Sequence, residues 1–131
     1  MIQRHFLYLF LSAIFICCSI SMVNAQDTPE KVVEAWLILW DEGKYEDFYK
    51  LLAEDTRQRF TERDWFNYWI DVRYPLGKLK SRKFAARKYI NQERLLFVYA
   101  GSYENKETII EMCAVIREKD GNWRVWSYYT P

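Results

Sequence analysis

Histidine occurs once in the 131 residues, at His5, so the rest of the chain can build no Cys-His pair, no Ser-His-Asp triad and no histidine metal site. Cysteine is scarce as well. Cys17 and Cys18 stand in an apolar N-terminal run and only Cys113 lies beyond it, so a domain formed after that run holds no disulfide of its own. Three prolines and four glycines leave no Pro/Gly/Ser-rich linker, and no repeat interrupts residues 27–131, which predicts a single domain. Neither sign of charge is in excess: 19 Lys and Arg face 18 Asp and Glu, a balance that disfavours nucleic acid or an anionic membrane as partner. The one long hydrophobic run, Phe6 to Cys18, is too short to span a bilayer. Scattered carboxylates such as Asp64 and Asp71 show no metal-loop spacing, and no motif calls for a cofactor, so none is expected.

That apolar run follows Arg4 and His5 and leads into Val23-Asn24-Ala25, the charged, apolar and small-residue regions of a secretory signal peptide. The expectation is that residues 1–25 are cleaved and that residues 26–131 form one α+β domain with no transmembrane segment left, periplasmic or secreted. Cleavage removes Cys17, Cys18 and the only histidine together.

What the chain has in abundance is aromatic residues: six Trp, ten Tyr and eight Phe, with every tryptophan after residue 35. Thr28-Pro29 opens a helix whose stripe runs through Val32 or Val33, Trp36 and Leu39 or Trp40, and Gly43 ends it. A second helix fits Tyr45 to Ala53, with residues 55–59 as its polar exit. A third opens at the capping box Thr61 to Asp64, carries Trp65, Trp69 and Val72 on one face, and stops before Pro75 and Gly77. From Lys78 the period becomes two. Strands over 79–90, 94–103, 107–118 and 123–129 are separated by Asn91-Gln92, Glu104-Asn105 and Asp120-Gly121, which predicts a curved four-stranded antiparallel meander, a cone-like roll, with the three N-terminal helices on one face. On the third strand Thr108, Ile110, Met112, Ala114 and Ile116 share the side expected to be buried, while Ile109, Glu111, Cys113, Val115 and Arg117 form a mixed side.

Trp36 to Asp41-x-Gly43-x-Tyr45, the Trp65 helix, Arg73-x-Pro75-Leu76-Gly77 with Ser81-Arg82, and Asp120-Gly121-x-Trp123-Arg124-Val125 with Tyr128 occur together, and on these the chain resembles domain of unknown function 4019, a family of small exported bacterial proteins. The resemblance implies a Gram-negative periplasmic setting. In layout the chain is also similar to the nuclear transport factor two-like superfamily, which implies a pocket between sheet and helices. It departs from the family pattern in the aromatic helix around Trp65 and Trp69 and in Trp126-Ser127.

A pocket of that kind would be lined by the concave face of the sheet and the third helix, with Trp69, Tyr99, Glu111 and Tyr128 as the candidate residues. Their other reading is as core side chains. Glu111 either carries a raised pKa and serves as a general base, as an acid does in isomerases of that superfamily, or pairs with an arginine across the sheet. Arg73, Arg82 and Arg124 either converge on an anion or act structurally, Arg73 on carbonyls at a helix end and the other two on neighbouring acids. The basic strand Lys78, Lys80, Arg82, Lys83, Arg87, Lys88 reads as a solvated or edge strand. Cys113 reads as a buried small hydrophobe. Two functions remain: a non-catalytic exported domain binding a small apolar ligand, peptide or partner protein, and a cofactor-independent lyase or isomerase with Glu111 as base. Homodimerisation through the sheet is suggested by analogy of shape alone.

Overall fold

The computed structural model describes residues 27–131; the expected signal peptide lies outside the described residues. Thr28 caps the first helix, α1 (Pro29–Glu42), its hydroxyl accepting from the Lys31 amide, with Pro29 where no amide is needed. Val32, Val33, Trp36, Leu37 and Trp40 form its buried stripe. Gly43 ends it at φ 69°, and a Cβ there would stand 2.7 Å from the Trp69 ring, so both handedness and space require glycine.

Three short helices follow: α2 (Tyr45–Lys50), α3 (Glu54–Arg59) and α4 (Glu62–Tyr68). The expected second helix stops early because residues 51–53 straighten to close the edge of the last strand, Ala53 donating to the Val125 carbonyl at 2.7 Å and Val125 to that of Leu51 at 3.1 Å. The expected polar exit is itself helical, making four α-helices among the described residues rather than three. The capping box at α4 is complete: Thr61 accepts from the Asp64 amide and Asp64 from the Thr61 amide. Beyond Tyr68 the helix widens into a π-turn (Trp69–Arg73) and then tightens into a 3-10 turn (Tyr74–Leu76).

The sheet is an antiparallel meander, β1 (Leu79–Asn91), β2 (Arg94–Tyr103), β3 (Lys106–Arg117) and β4 (Trp123–Tyr129), with every neighbour consecutive in sequence. It is open: β1 and β4 form opposite edges. Bulges interrupt the β1 register at three points, a device that keeps an uncovered edge from pairing further.

The helices cover one face, and that face corrects the expected alternation. Ile109, Glu111, Cys113 and Val115 point to the helices, whereas Ile110 lies on the outer side and is exposed. Glu111 made this face look mixed; its charge is tolerated inside because it is paired. Trp36 and Trp40 stack at 5.1 Å at the centre, with Phe48, Trp65 and Tyr128 around them. The Trp36 indole donates to the Phe48 carbonyl at 3.1 Å, locking α1 to α2. No helix among the described residues is long and apolar enough to cross a membrane.

Candidate functional site

Glu111, at the middle of β3, is 0% exposed. An ionised carboxylate at such a position persists only if donors fill its lone pairs. Arg82 reaches it from β1 with two hydrogen bonds, Nε to Oε2 at 2.8 Å and Nη2 to Oε1 at 3.1 Å. Tyr103 and Tyr128 each donate a hydroxyl to Oε1 at 2.6 Å. Between β1 and β3 lies β2, whose residue opposite Arg82 is Gly101. A Cβ at 101 would stand 2.5 Å from Glu111 Oε2 and 2.8 Å from the Tyr103 ring, so the absence of a side chain lets Arg82 cross.

The same guanidinium clasps Asp41 at the end of α1, Nη1 to Oδ2 at 2.7 Å and Nη2 to Oδ1 at 3.0 Å. Arg73 adds a third side to the cluster. Its Nε meets Asp41 Oδ1 at 3.2 Å, its Nη1 donates to the Gly77 carbonyl at 2.6 Å, and its guanidinium lies 4.6 Å over the Tyr103 ring. The π-turn delivers Arg73 to this place while aiming the Trp69 indole at the Trp40 carbonyl, 2.7 Å away. Gly77 holds φ 72° and ψ −155°, backbone that only glycine adopts readily, and so presents its carbonyl to Arg73.

Two positive and two negative groups thus balance inside the protein, tying α1, the π-turn, β1, β2, β3 and β4 together. Burial would raise the Glu111 pKa, but hydrogen bonds and charge from Arg82, with the two phenols, hold it below the ordinary carboxylate value. Burial would likewise lower that of Arg82, and Asp41 and Glu111 outweigh it, so the guanidinium is held more firmly charged. Burial raises Tyr128 and Tyr103 above the ordinary phenol value, with Glu111 adding to both. For Glu111 the direction is opposite to the raised pKa that a general base requires.

The other sequence candidates scatter. Tyr99 faces Glu111 across the β2–β3 ladder but packs edge-on against Phe84 at 5.8 Å, its pKa pushed up to about 12, chiefly by burial. Trp69 lies against Gly43 and Tyr74. Arg124 is apart from Arg73 and Arg82, pairing with Glu118 at 3.3 Å and Asp120 at 3.0 Å at the β3–β4 hairpin, so the three arginines do not converge. Cys113 is fully buried, and burial pushes its thiol well above the ordinary value. Among the described residues no group of three His, Cys, Asp or Glu side chains could hold a metal.

An open groove of about 840 Å³ lies elsewhere, between α3, α4 and β4. Phe60, Trp65, Tyr68, Trp126 and Tyr128 give it aromatic walls, and Thr56, Arg59, Asp64, Asn67 and Ser127 add polar groups. Trp126 is set by its indole donating to Asp55 at 3.2 Å and by its carbonyl accepting from Thr56 at 2.7 Å. Arg94 lies 4.4 Å over its ring. Of the four expected pocket residues only Tyr128 lines this groove; Trp69, Tyr99 and Glu111 do not. Asp41, Tyr103, Phe60 and Tyr68 were not singled out in the sequence. Asp41 stood inside the Asp41-x-Gly43 element and Tyr103 in the period-two row of β2, and both signals were available. A second, smaller groove of about 620 Å³ beside the β3–β4 hairpin carries mixed charges, among them Glu54, Arg57, Glu118 and Arg124.

The family model described as protein of unknown function (DUF4019) matches residues 32–128, from the first buried turn of α1 to Tyr128 itself. No curated protein matches the chain.

Proposed function

The chain belongs to the family of proteins of unknown function DUF4019, and from that premise we propose that it is an exported, non-catalytic binding domain that holds a small amphipathic molecule in the aromatic groove between α3, α4 and β4. One observation carries the reading: the groove's volume of about 840 Å³ falls within the roughly 300–1,000 Å³ of small-molecule sites, and it combines aromatic walls with a few polar groups. A planar apolar body fits against Phe60, Tyr68 and Trp126. Its polar edge meets Asn67, Ser127 or Arg59 at the open side.

Export rests on the N-terminal sequence pattern, and a periplasmic or secreted location follows from it. The competing reading, a lyase or isomerase with Glu111 as base, lacks support in the geometry: the carboxylate already accepts from Arg82, Tyr103 and Tyr128, and it lines neither groove.

Native mass spectrometry of the protein purified gently from its own cell envelope tests the proposal. The expected result is a mass excess that disappears on denaturation and is absent from a Phe60→Ala, Trp126→Ala double variant. A bare chain mass overturns it, and a bare dimer mass turns attention to the outer sheet face and a protein partner instead.

A further inference from the structure

Among the described residues Tyr128 is the one that belongs both to the ion cluster and to the groove lining. Its hydroxyl donates to Glu111 Oε1 at 2.6 Å, while its residue forms part of the groove wall. On the inner side its ring packs on Trp40 at 4.8 Å and Trp36 at 5.3 Å. From the groove side Tyr68 donates its hydroxyl to the Tyr128 carbonyl at 3.2 Å. Each end of the residue is therefore fixed by a different region, the backbone by a groove residue and the phenol by the buried carboxylate.

We infer that Glu111 is a positioning residue for the groove: by holding the Tyr128 hydroxyl it fixes where the inner aromatic wall stands, and so how well the groove fits its ligand. The inference rests on the groove reading above and deepens it. Glu111 is in turn held by Arg82, and Arg82 by Asp41. The wall position is thus set by a chain of charge-assisted hydrogen bonds beginning at the end of α1. Aromatic packing alone would leave the ring free to tilt about its contacts; a 2.6 Å bond at its far end removes that freedom. Tyr103 supplies an internal control. It donates to the same Oε1 at the same distance, yet it does not line the groove.

The test compares Tyr128→Phe with Tyr103→Phe, each removing one phenol donor from Glu111 while keeping the ring; Tyr103→Phe also removes the hydroxyl that accepts from Arg82 Nη2 at 2.9 Å, so it is the harsher change to the cluster itself. Arg82 remains in both, so both are expected to fold. The first readout is the affinity of the wild-type and variant proteins for 1-anilinonaphthalene-8-sulfonate, used as a probe for the groove. The second needs no ligand: the fluorine resonances of Trp65 and Trp126 in protein labelled with 5-fluorotryptophan, with Trp69 and Trp123 as reporters outside the groove. Tyr128→Phe is expected to shift Trp65 and Trp126 and to weaken dye binding about threefold or more, the scale of one lost hydrogen bond. Tyr103→Phe is expected to leave both readouts at wild type. If the two variants behave alike, the inference is overturned while the groove reading stands. If the wild type binds no dye, it is the groove reading that loses its support, and the fluorine comparison alone decides whether Tyr128 transmits the cluster to the wall.

Discussion

The two sides of Tyr128 are built on opposite principles. Toward the sheet centre, Asp41, Arg73, Arg82 and Glu111 saturate one another, and the geometry leaves the carboxylate of Glu111 no free lone pair facing solvent. Toward α3 and α4, aromatic faces are left uncovered, and Phe60 is 47% exposed. Glu111 and Arg82, for which the sequence left chemistry and structural pairing both open, pair with each other inside the fold, while Phe60, Tyr68 and Trp126 line the open groove. A buried charge in a tight pair is a poor catalyst because stabilising its ionised form is what burial demands.

The contrast breaks most severely at Arg82. Replacing it with Met strands the Glu111 carboxylate with two phenols and leaves Asp41 to Arg73 alone, and unfolding in urea is expected to show a loss of about 3–5 kcal/mol. A loss under about 1 kcal/mol would mean that solvent already screens the cluster. Gly101→Ala comes next. The added methyl meets Glu111 Oε2, which cannot step aside without leaving Arg82, and the expected cost is about 1–3 kcal/mol. An unchanged urea midpoint would show that the crossing over β2 has slack.

Protonation attacks the same cluster without mutation. Glu111 has its folded pKa below the ordinary 4.5, so its contribution is complete above that value and is lost as pH falls further. Cys113, Tyr103 and Tyr128 have folded pKa values above the ordinary 9.0 and 10.0, so theirs are complete below those values and are lost as pH rises beyond them. Stability against urea is therefore expected to be flat from about pH 4.5 to about pH 9 and to fall on both sides. Glu111→Gln should make the acid limb shallower, and an acid limb unchanged in that variant would assign acid unfolding to other carboxylates.

How much of this was legible in the sequence follows from how local each signal is. Thr28-Pro29, the Thr61–Asp64 box and the hairpin separators each act within a few residues; the caps and the last two turns stand where they were expected, and the first turn falls one residue later, at Gln92-Glu93, because Asn91 still pairs with Arg94. Helix α3 was not legible, since residues 54–59 are polar all round and only Thr56 is buried; the segment is helical because residues 51–53 pair with β4 and start it anew. The buried side of β3 was misread for a related reason. Periodicity weighs Glu111 as polar, and the residue that makes its burial tolerable, Arg82, is two strands away and arrives only through the gap at Gly101. The groove was missed because Phe60, Tyr68 and Trp126 come from three elements whose meeting depends on that same β4 edge.

The smallest effect on stability separates the two sides most cleanly. Phe60 is half exposed, and its loss leaves the buried aromatic cluster of Trp36, Trp40 and Phe48 untouched. Phe60→Ala is therefore expected to change unfolding free energy by no more than about 0.5 kcal/mol, the range of surface substitutions. On the groove side it removes one aromatic wall, and dye affinity should fall several-fold. A variant that loses stability in step with affinity would place Phe60 in the core and dissolve the distinction between a side that holds and a side that receives. A variant that keeps both would show that the groove's binding surface lies with Tyr68, Trp126 and Tyr128, inward of the rim.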